Sequence, residues 1–129
     1  MLGMSNSDGT GRSRRETPIA VTHGRAARLL VAPVQEKLGT WQAEAVKLEV
    51  MADRLKTAGR RDPSVADGVR ALLKVVNMQA QLLETEAAEA PPPVRTHTRV
   101  TDTQKVLGLL GVRLEAMLAA LGERPDKAR

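Results

Sequence analysis

The chain has 129 residues, a formal net charge of +5, a single aromatic residue and no cysteine. The lack of cysteine excludes disulfides and cysteine-ligated zinc, and the length allows one domain with tails. β-Strands are enriched in aromatic and β-branched residues, whereas this chain offers mostly Ala, Leu and Val. We therefore expect an all-α fold.

The chain begins with residues 1–21, which are rich in Ser, Gly, Thr and Arg. So few apolar side chains cannot offset the entropy of ordering the backbone, and we predict a disordered basic arm. Over residues 1–28 the basic side chains outnumber the two acidic ones, and they are Arg12, Arg14, Arg15, Arg25 and Arg28. A basic arm attracts polyanions, above all nucleic acid, because phosphate neutralisation releases counterions. The alternative is a solubilising tail.

A helical hairpin is predicted over residues 22–89. A short helix can start at Thr22, but Pro33 should interrupt it because proline lacks an N–H and disfavours helix at the preceding residue. The first long helix is then expected at residues 33–58, with Gly59 as its C-cap. Asp62 as N-cap and a proline after it predict a second helix over residues 63–89.

The first long helix has apolar residues at alternating spacings of four and three, which places them on one face. A helical core of this size contributes only ~3–5 kcal/mol, and self-association is the usual remedy. We therefore predict a homo-oligomer whose interface includes Val34, Leu38, Trp41, Leu48 and Leu55. The alternative is that the same face packs inside an intramolecular three-helix bundle.

The C-terminal third is predicted to hold one more helix. Residues 90–101 begin with three prolines after an alanine and read as an extended linker. Thr101 and Gln104 then match a capping box, so we expect a C-terminal helix within residues 102–122, closed by Gly122. Residues 123–129 form a polar tail. The sequence leaves open whether this helix packs on the hairpin.

No catalytic or metal-binding pattern is present. His23 and His97 have no partner ligands at helical spacing, and no serine lies near a base in a nucleophile pattern. We expect no enzyme activity, no metal and no cofactor. The chain lacks an apolar run of about 20 residues and a signal peptide, which indicates no membrane association and a cytoplasmic location.

Nucleic acid is the partner that the basic residues favour. Arg60 and Arg61, at the predicted hairpin turn, add to the arginines of the arm, and the guanidinium fork suits phosphate. Trp41 lies on the apolar face of the first long helix, so we expect it to pack in a core or interface rather than stack on a base. With no other aromatic residue, binding should be electrostatic and weakly sequence-specific. A helix-turn-helix within residues 17–58 is a further alternative.

The layout resembles the small terminase subunits of phages that infect high-GC bacteria. The features that carry this resemblance are the basic arm, the hairpin LEVMADRLKTAGRRDPSVADGVRALLKVVNMQAQLLETEA and the ending LEAMLAALGERPDKAR. The resemblance implies a non-enzymatic DNA-packaging component that binds double-stranded viral DNA and assembles as a ring with a larger, ATP-hydrolysing subunit. In that case it would act in the host cytoplasm. The competing interpretations are a helical adaptor that binds another protein and a small DNA-binding regulator.

Overall fold

The computed structural model of the protein describes residues 18–123, with side chains described from Thr22 onward. It contains four helices: α1 (Pro18–Ala58), α2 (Pro63–Ala88), the single-turn α3 (Pro92–Arg95) and α4 (Thr98–Ala120). No strand occurs among the described residues. The all-α prediction is confirmed. Residues 1–17 of the predicted arm, and with them Arg12, Arg14 and Arg15, lie outside the described part.

α1 is longer than the sequence predicts, because it continues through Pro33 without a break. The predicted interruption is wrong, and residues 18–21, assigned to the arm, begin this helix. Ala27 and Val31 before the proline, and Val34 after it, are all buried in the core, while the proline itself is exposed. Burial on both sides of Pro33 offsets the hydrogen bond that the proline removes.

The predicted hairpin turn between α1 and α2 is confirmed in its details. Gly59 has a φ of 65°, a left-handed conformation that glycine adopts at little cost. The Arg60 backbone N donates to the Leu55 carbonyl over 2.9 Å and closes the helix. Asp62 accepts a hydrogen bond from the Ser64 backbone N at 3.0 Å and so caps α2.

The segment predicted as an extended linker is largely helical. It contains α3, and α4 begins at Thr98 rather than after Thr101. The N-cap of α4 is His97, whose Nδ1 accepts from the Arg99 backbone N at 3.1 Å. The predicted capping box is wrong, since Thr101 already lies inside the helix. The physical reason is burial: Val94 and Val100 both belong to the core, so the segment folds onto the bundle.

α4 packs against both α1 and α2, and the three long helices form an intramolecular bundle. Among the largest fully buried side chains are Leu83 of α2 and Leu107, Leu114 and Leu118 of α4. Leu114 and Leu118 are completely inaccessible to solvent. The C-terminal helix therefore completes the core of the hairpin.

The apolar face of α1 packs toward this core. Val34 and Leu48 are only 4% and 5% exposed. Leu38 and Trp41 are half-buried and pack against the core, and Leu55 is half-buried as well. Val34 and Leu48 are thus buried within their own chain, whereas Leu38, Trp41 and Leu55 keep part of their surface exposed. A subunit interface at these residues stays a prediction. In the α1–α2 hairpin alone, part of this apolar face would be exposed, and α4 covers it.

No helix in the described range 18–123 is long and apolar enough to span a membrane.

Candidate nucleic-acid interface

The structure separates the predicted cationic residues into two groups. Arg25 and Arg28 are exposed near the start of α1, and Arg60 and Arg61 are exposed in the turn that follows it. An α-helix rises 1.5 Å per residue, so the two groups lie about 50 Å apart, at opposite ends of the bundle. They cannot contact the same short stretch of a ligand.

The turn end of the bundle contains an open cleft of about 240 Å³ where α1, α2 and the end of α4 meet. Lys56, Arg60 and Arg61 line it together with apolar side chains that include Leu55 and Leu121. The positive end of the α2 dipole also lies here, because α2 begins at Pro63. We call this surface the turn cleft. It brings three cations to one place, and Lys56 is a member that the sequence did not single out.

The carboxylates beside the turn cleft are already engaged. Asp62 accepts hydrogen bonds from the Ser64 hydroxyl at 2.7 Å and from its backbone N at 3.0 Å. These bonds, with a smaller contribution from the charge of Arg60, hold the pKa of Asp62 below its ordinary value. Glu123 accepts from Arg70 Nη2 at 2.6 Å. Two acidic groups that line the cleft are thus occupied by local contacts.

Lys56, Arg60 and Arg61 make no ion pair with any carboxylate in the described part of the chain. The Arg61 guanidinium lies next to the end of α4, with Nη2 3.9 Å from where a Cβ would stand at Gly122. A cation is favoured there by the negative end of the α4 dipole. The three charges can accept an anion from solvent without breaking an internal salt bridge.

Other predicted functional residues do not join this surface. Trp41 is partly buried and packs against the core, as expected. The alternative of a helix-turn-helix is wrong over residues 18–58, because α1 runs unbroken through that range and contains no turn. His97 caps α4, a role that the sequence analysis missed, since histidine is not among the usual N-cap residues.

Within the described residues, no group of three or more His, Asp or Glu side chains stands where it could hold a metal ion. His23 and His97 are both half-buried rather than fully exposed.

Each long helix also exposes large apolar side chains to solvent. They are Leu29, Val46, Val50 and Met51 on α1, Val75, Met78 and Leu82 on α2, and Leu109 and Val112 on α4. Single exposed apolar residues are ordinary, but rows of them on one helix face mark contact surfaces.

Comparisons of this chain with protein-family models, with curated proteins and with solved structures find no match.

Proposed function

We propose that this chain is a non-enzymatic DNA-binding protein that contacts phosphates through the turn cleft. The observation that supports this most directly is the set of three unpaired cations, Lys56, Arg60 and Arg61, beside carboxylates that are engaged elsewhere. Arginine binds phosphate through two parallel hydrogen bonds, and lysine adds a point charge.

The turn cleft should bind DNA with little preference for base sequence. Reading bases requires side chains that reach base edges in a groove or aromatic rings that stack on unpaired bases. The only aromatic residue of the chain packs against the core, and the cations lie at a helical turn. Contacts to the backbone position a protein on DNA without carrying sequence information.

The sequence that follows the described part strengthens the charge argument. Directly after Glu123 come Arg124, Lys127 and Arg129, with Asp126 as the one acidic residue. These residues add further positive charge to the sequence directly after Glu123. The broader proposal is a DNA-packaging component of the small-terminase kind, as the resemblance in layout implies.

The test measures the affinity for a short duplex DNA by fluorescence anisotropy over a range of salt concentrations. The variant Arg60→Ala/Arg61→Ala should weaken binding and reduce the slope of log K against log salt by about 0.9 for each phosphate that the protein no longer neutralises. Both side chains are exposed, so the fold should be unchanged by circular dichroism.

The matched control is Arg25→Ala/Arg28→Ala, which removes the same charge from exposed positions at the other end of the bundle. It should change the salt slope less than the turn variant does. Equal effects of the two variants would contradict a site at the turn. If the wild-type protein ignores DNA even at low salt, the DNA-binding proposal is wrong.

The second candidate is a helical adaptor that binds another, larger protein. The rows of exposed apolar side chains on α1, α2 and α4 favour it. An adaptor would be indifferent to both arginine variants and to removal of Arg12, Arg14 and Arg15.

A further inference from the structure

The outward face of α4 presents an apolar row opposite its buried side. Leu109 and Val112 are each 62% exposed, and Ala116 and Ala119 on the same face are exposed as well. Their spacings of three, four and three residues match one stripe of a helix. Since Leu107, Leu110 and Leu114 already fill the core side, α4 is apolar on two opposite faces.

This row continues sideways onto α1. Arg113 Nη2 of α4 donates to Glu49 Oε1 of α1 at 2.6 Å, and Gln35 Nε2 donates to Thr103 Oγ1 earlier along both helices. Later residues of one helix thus meet later residues of the other, so α1 and α4 run in the same direction.

The exposed aliphatic side chains near this ion pair are therefore neighbours. Val46 lies one turn before Glu49, and Leu109 lies one turn before Arg113, so both stand at the same level of the bundle. Val50 and Val112 extend the surface around each helix. We call Val46, Val50, Leu109 and Val112 the α4 patch.

The α4 patch has a neutralised ion pair at its centre and one unpaired charge of each sign toward its ends. Glu49 and Arg113 neutralise each other within it. Along α4, Lys105 lies one turn before Leu109, and Glu115 lies just beyond Val112. Both side chains are exposed and form no ion pair within the described chain. They are about 15 Å apart along the helix, which is too far for them to pair with each other.

We propose that the α4 patch is the contact between two copies of this chain, with the two α4 helices antiparallel about a two-fold axis that passes between Leu109 and Val112. Such an axis sets Leu109 of each copy opposite Val112 of the other. It also brings each Lys105 beside Glu115 of the second copy, which gives both unpaired charges an opposite partner. A parallel pairing would instead place Lys105 beside Lys105.

Charge and the width of the surface together favour a second copy at this patch. The chain has a net charge of +5, so two copies repel unless their contact is neutral or complementary. The exposed row on α2, with Val75, Met78 and Leu82, also has a cation at one end and carboxylates at the other, namely Lys74, Glu84 and Glu86. That row lies on a single helix, whereas the α4 patch spans α1 and α4, which the Glu49–Arg113 pair joins. The α4 patch supplies both a neutral centre and matched ends.

This inference goes beyond the proposed DNA binding and does not depend on it. A two-fold contact closes at two copies, whereas the ring implied by the resemblance to small terminase subunits requires a head-to-tail contact between different surfaces. The inference therefore departs from that ring. The expected species in solution is a dimer.

The test is a charge reversal followed by complementation, read as absolute mass by light scattering over a range of protein concentrations. Lys105→Glu and Glu115→Lys should each raise the dimer dissociation constant about tenfold or more, because each variant places like charges together twice in the dimer. An equimolar mixture of the two variants should restore dimer formation, since every contact then joins opposite charges. Both positions are exposed on α4, so each variant should keep the helical content of the wild type.

Leu109→Asp should abolish the dimer, while Met78→Asp on the exposed row of α2 should leave the mass unchanged. The proposal is overturned if the wild-type chain is monomeric at high concentration, if the mixture fails to restore the mass, or if Met78→Asp disrupts association while Leu109→Asp does not. The anisotropy titration with the arginine variants is read separately. If the protein is a monomer that still binds DNA through Arg60 and Arg61, the proposed α4 contact is wrong and the DNA-binding proposal is unaffected.

Discussion

Asp62 determines where α2 starts, because its side chain accepts hydrogen bonds from the residue two positions later in the chain. Its side chain accepts from the hydroxyl and the backbone N of Ser64, and these donors favour the charged carboxylate. The pKa of Asp62 is therefore lower in the folded protein than in the unfolded chain. The single residue links the local geometry of a helix cap to the response of the whole protein to acid.

The acid response of Asp62 is testable by replacing it with asparagine, which caps helices about as well but does not titrate. A carboxyl group with a lowered folded pKa stabilises the protein above its unfolded pKa, near 3.9, and loses that contribution as the pH falls through the folded value. Asp62→Asn should unfold at nearly the wild-type temperature at pH 7 and lose less stability than wild type between about pH 4 and pH 2.

Thermal unfolding at both pH values measures this difference. Glu49, whose pKa is lowered mainly by its hydrogen bond from Arg113, titrates in both proteins and cancels from the comparison. Acid curves that stay parallel for wild type and Asp62→Asn would contradict the assignment of the lowered pKa to the cap.

At the scale of the element, α1 shows a conflict between local preference and packing. Pro33 lies inside the helix, where it leaves the Leu29 carbonyl without its usual donor. Ala27, Val31 and Val34 are buried around it, so helix on both sides of the proline is needed to fill the core. Packing prevails here because the buried residues flank the proline closely.

Pro33→Ala should therefore stabilise the protein, since alanine restores the missing hydrogen bond at an exposed position. The cost of proline in a helix interior is about 3 kcal/mol, reduced by its restriction of the unfolded chain, so we expect a gain of about 2 kcal/mol in the free energy of unfolding. Urea unfolding followed by circular dichroism measures it.

Gly39→Ala provides the comparison within the same helix. An added Cβ at Gly39 meets nothing within 4 Å, so the gain should be about 1 kcal/mol from helix propensity alone. A loss of stability in Pro33→Ala, with the expected gain in Gly39→Ala, would mean that the proline shapes α1 in a way the core requires.

At the scale of the whole molecule, α4 converts a hairpin into a bundle. Leu114 of α4 is fully buried, and α4 packs against both α1 and α2. The ion pairs Arg113–Glu49 and Arg70–Glu123 join α4 and its end to the other two helices. These exposed or partly exposed pairs add little energy. The core leucines therefore hold α4 in place.

Leu114→Ala should destabilise the protein by about 2–5 kcal/mol, the cost of removing a buried leucine side chain. Unfolding should remain a single transition in which all helices melt together. Leu29→Ala is the matched control, because Leu29 is 67% exposed and its truncation should change stability by less than about 0.5 kcal/mol. A separate early transition confined to α4 would contradict the cooperative bundle.

Features that depend on neighbouring residues follow from the sequence, whereas features that depend on distant residues do not. The turn from Gly59 to Pro63 was predicted residue by residue, because dihedral angles and caps depend on neighbours in the chain. The start of α4 was not, since it depends on Val94 and Val100 reaching a core assembled from other helices. Arg60 and Arg61 were selected as cations from the sequence, but their lack of partners was not visible there. It depends on contacts such as Arg70–Glu123, which join residues 53 positions apart.

By itself, the sequence determined the all-α class, the α1–α2 hairpin and the apolar face of α1, because composition, capping and helical period act over a few residues. Only the tertiary structure decided what covers that face, whether Pro33 ends a helix, and which charges are left unpaired. Each of these depends on residues far apart in the chain that burial brings together. The free energy of burying apolar surface is proportional to the buried area and does not depend on how far apart the residues lie in the sequence.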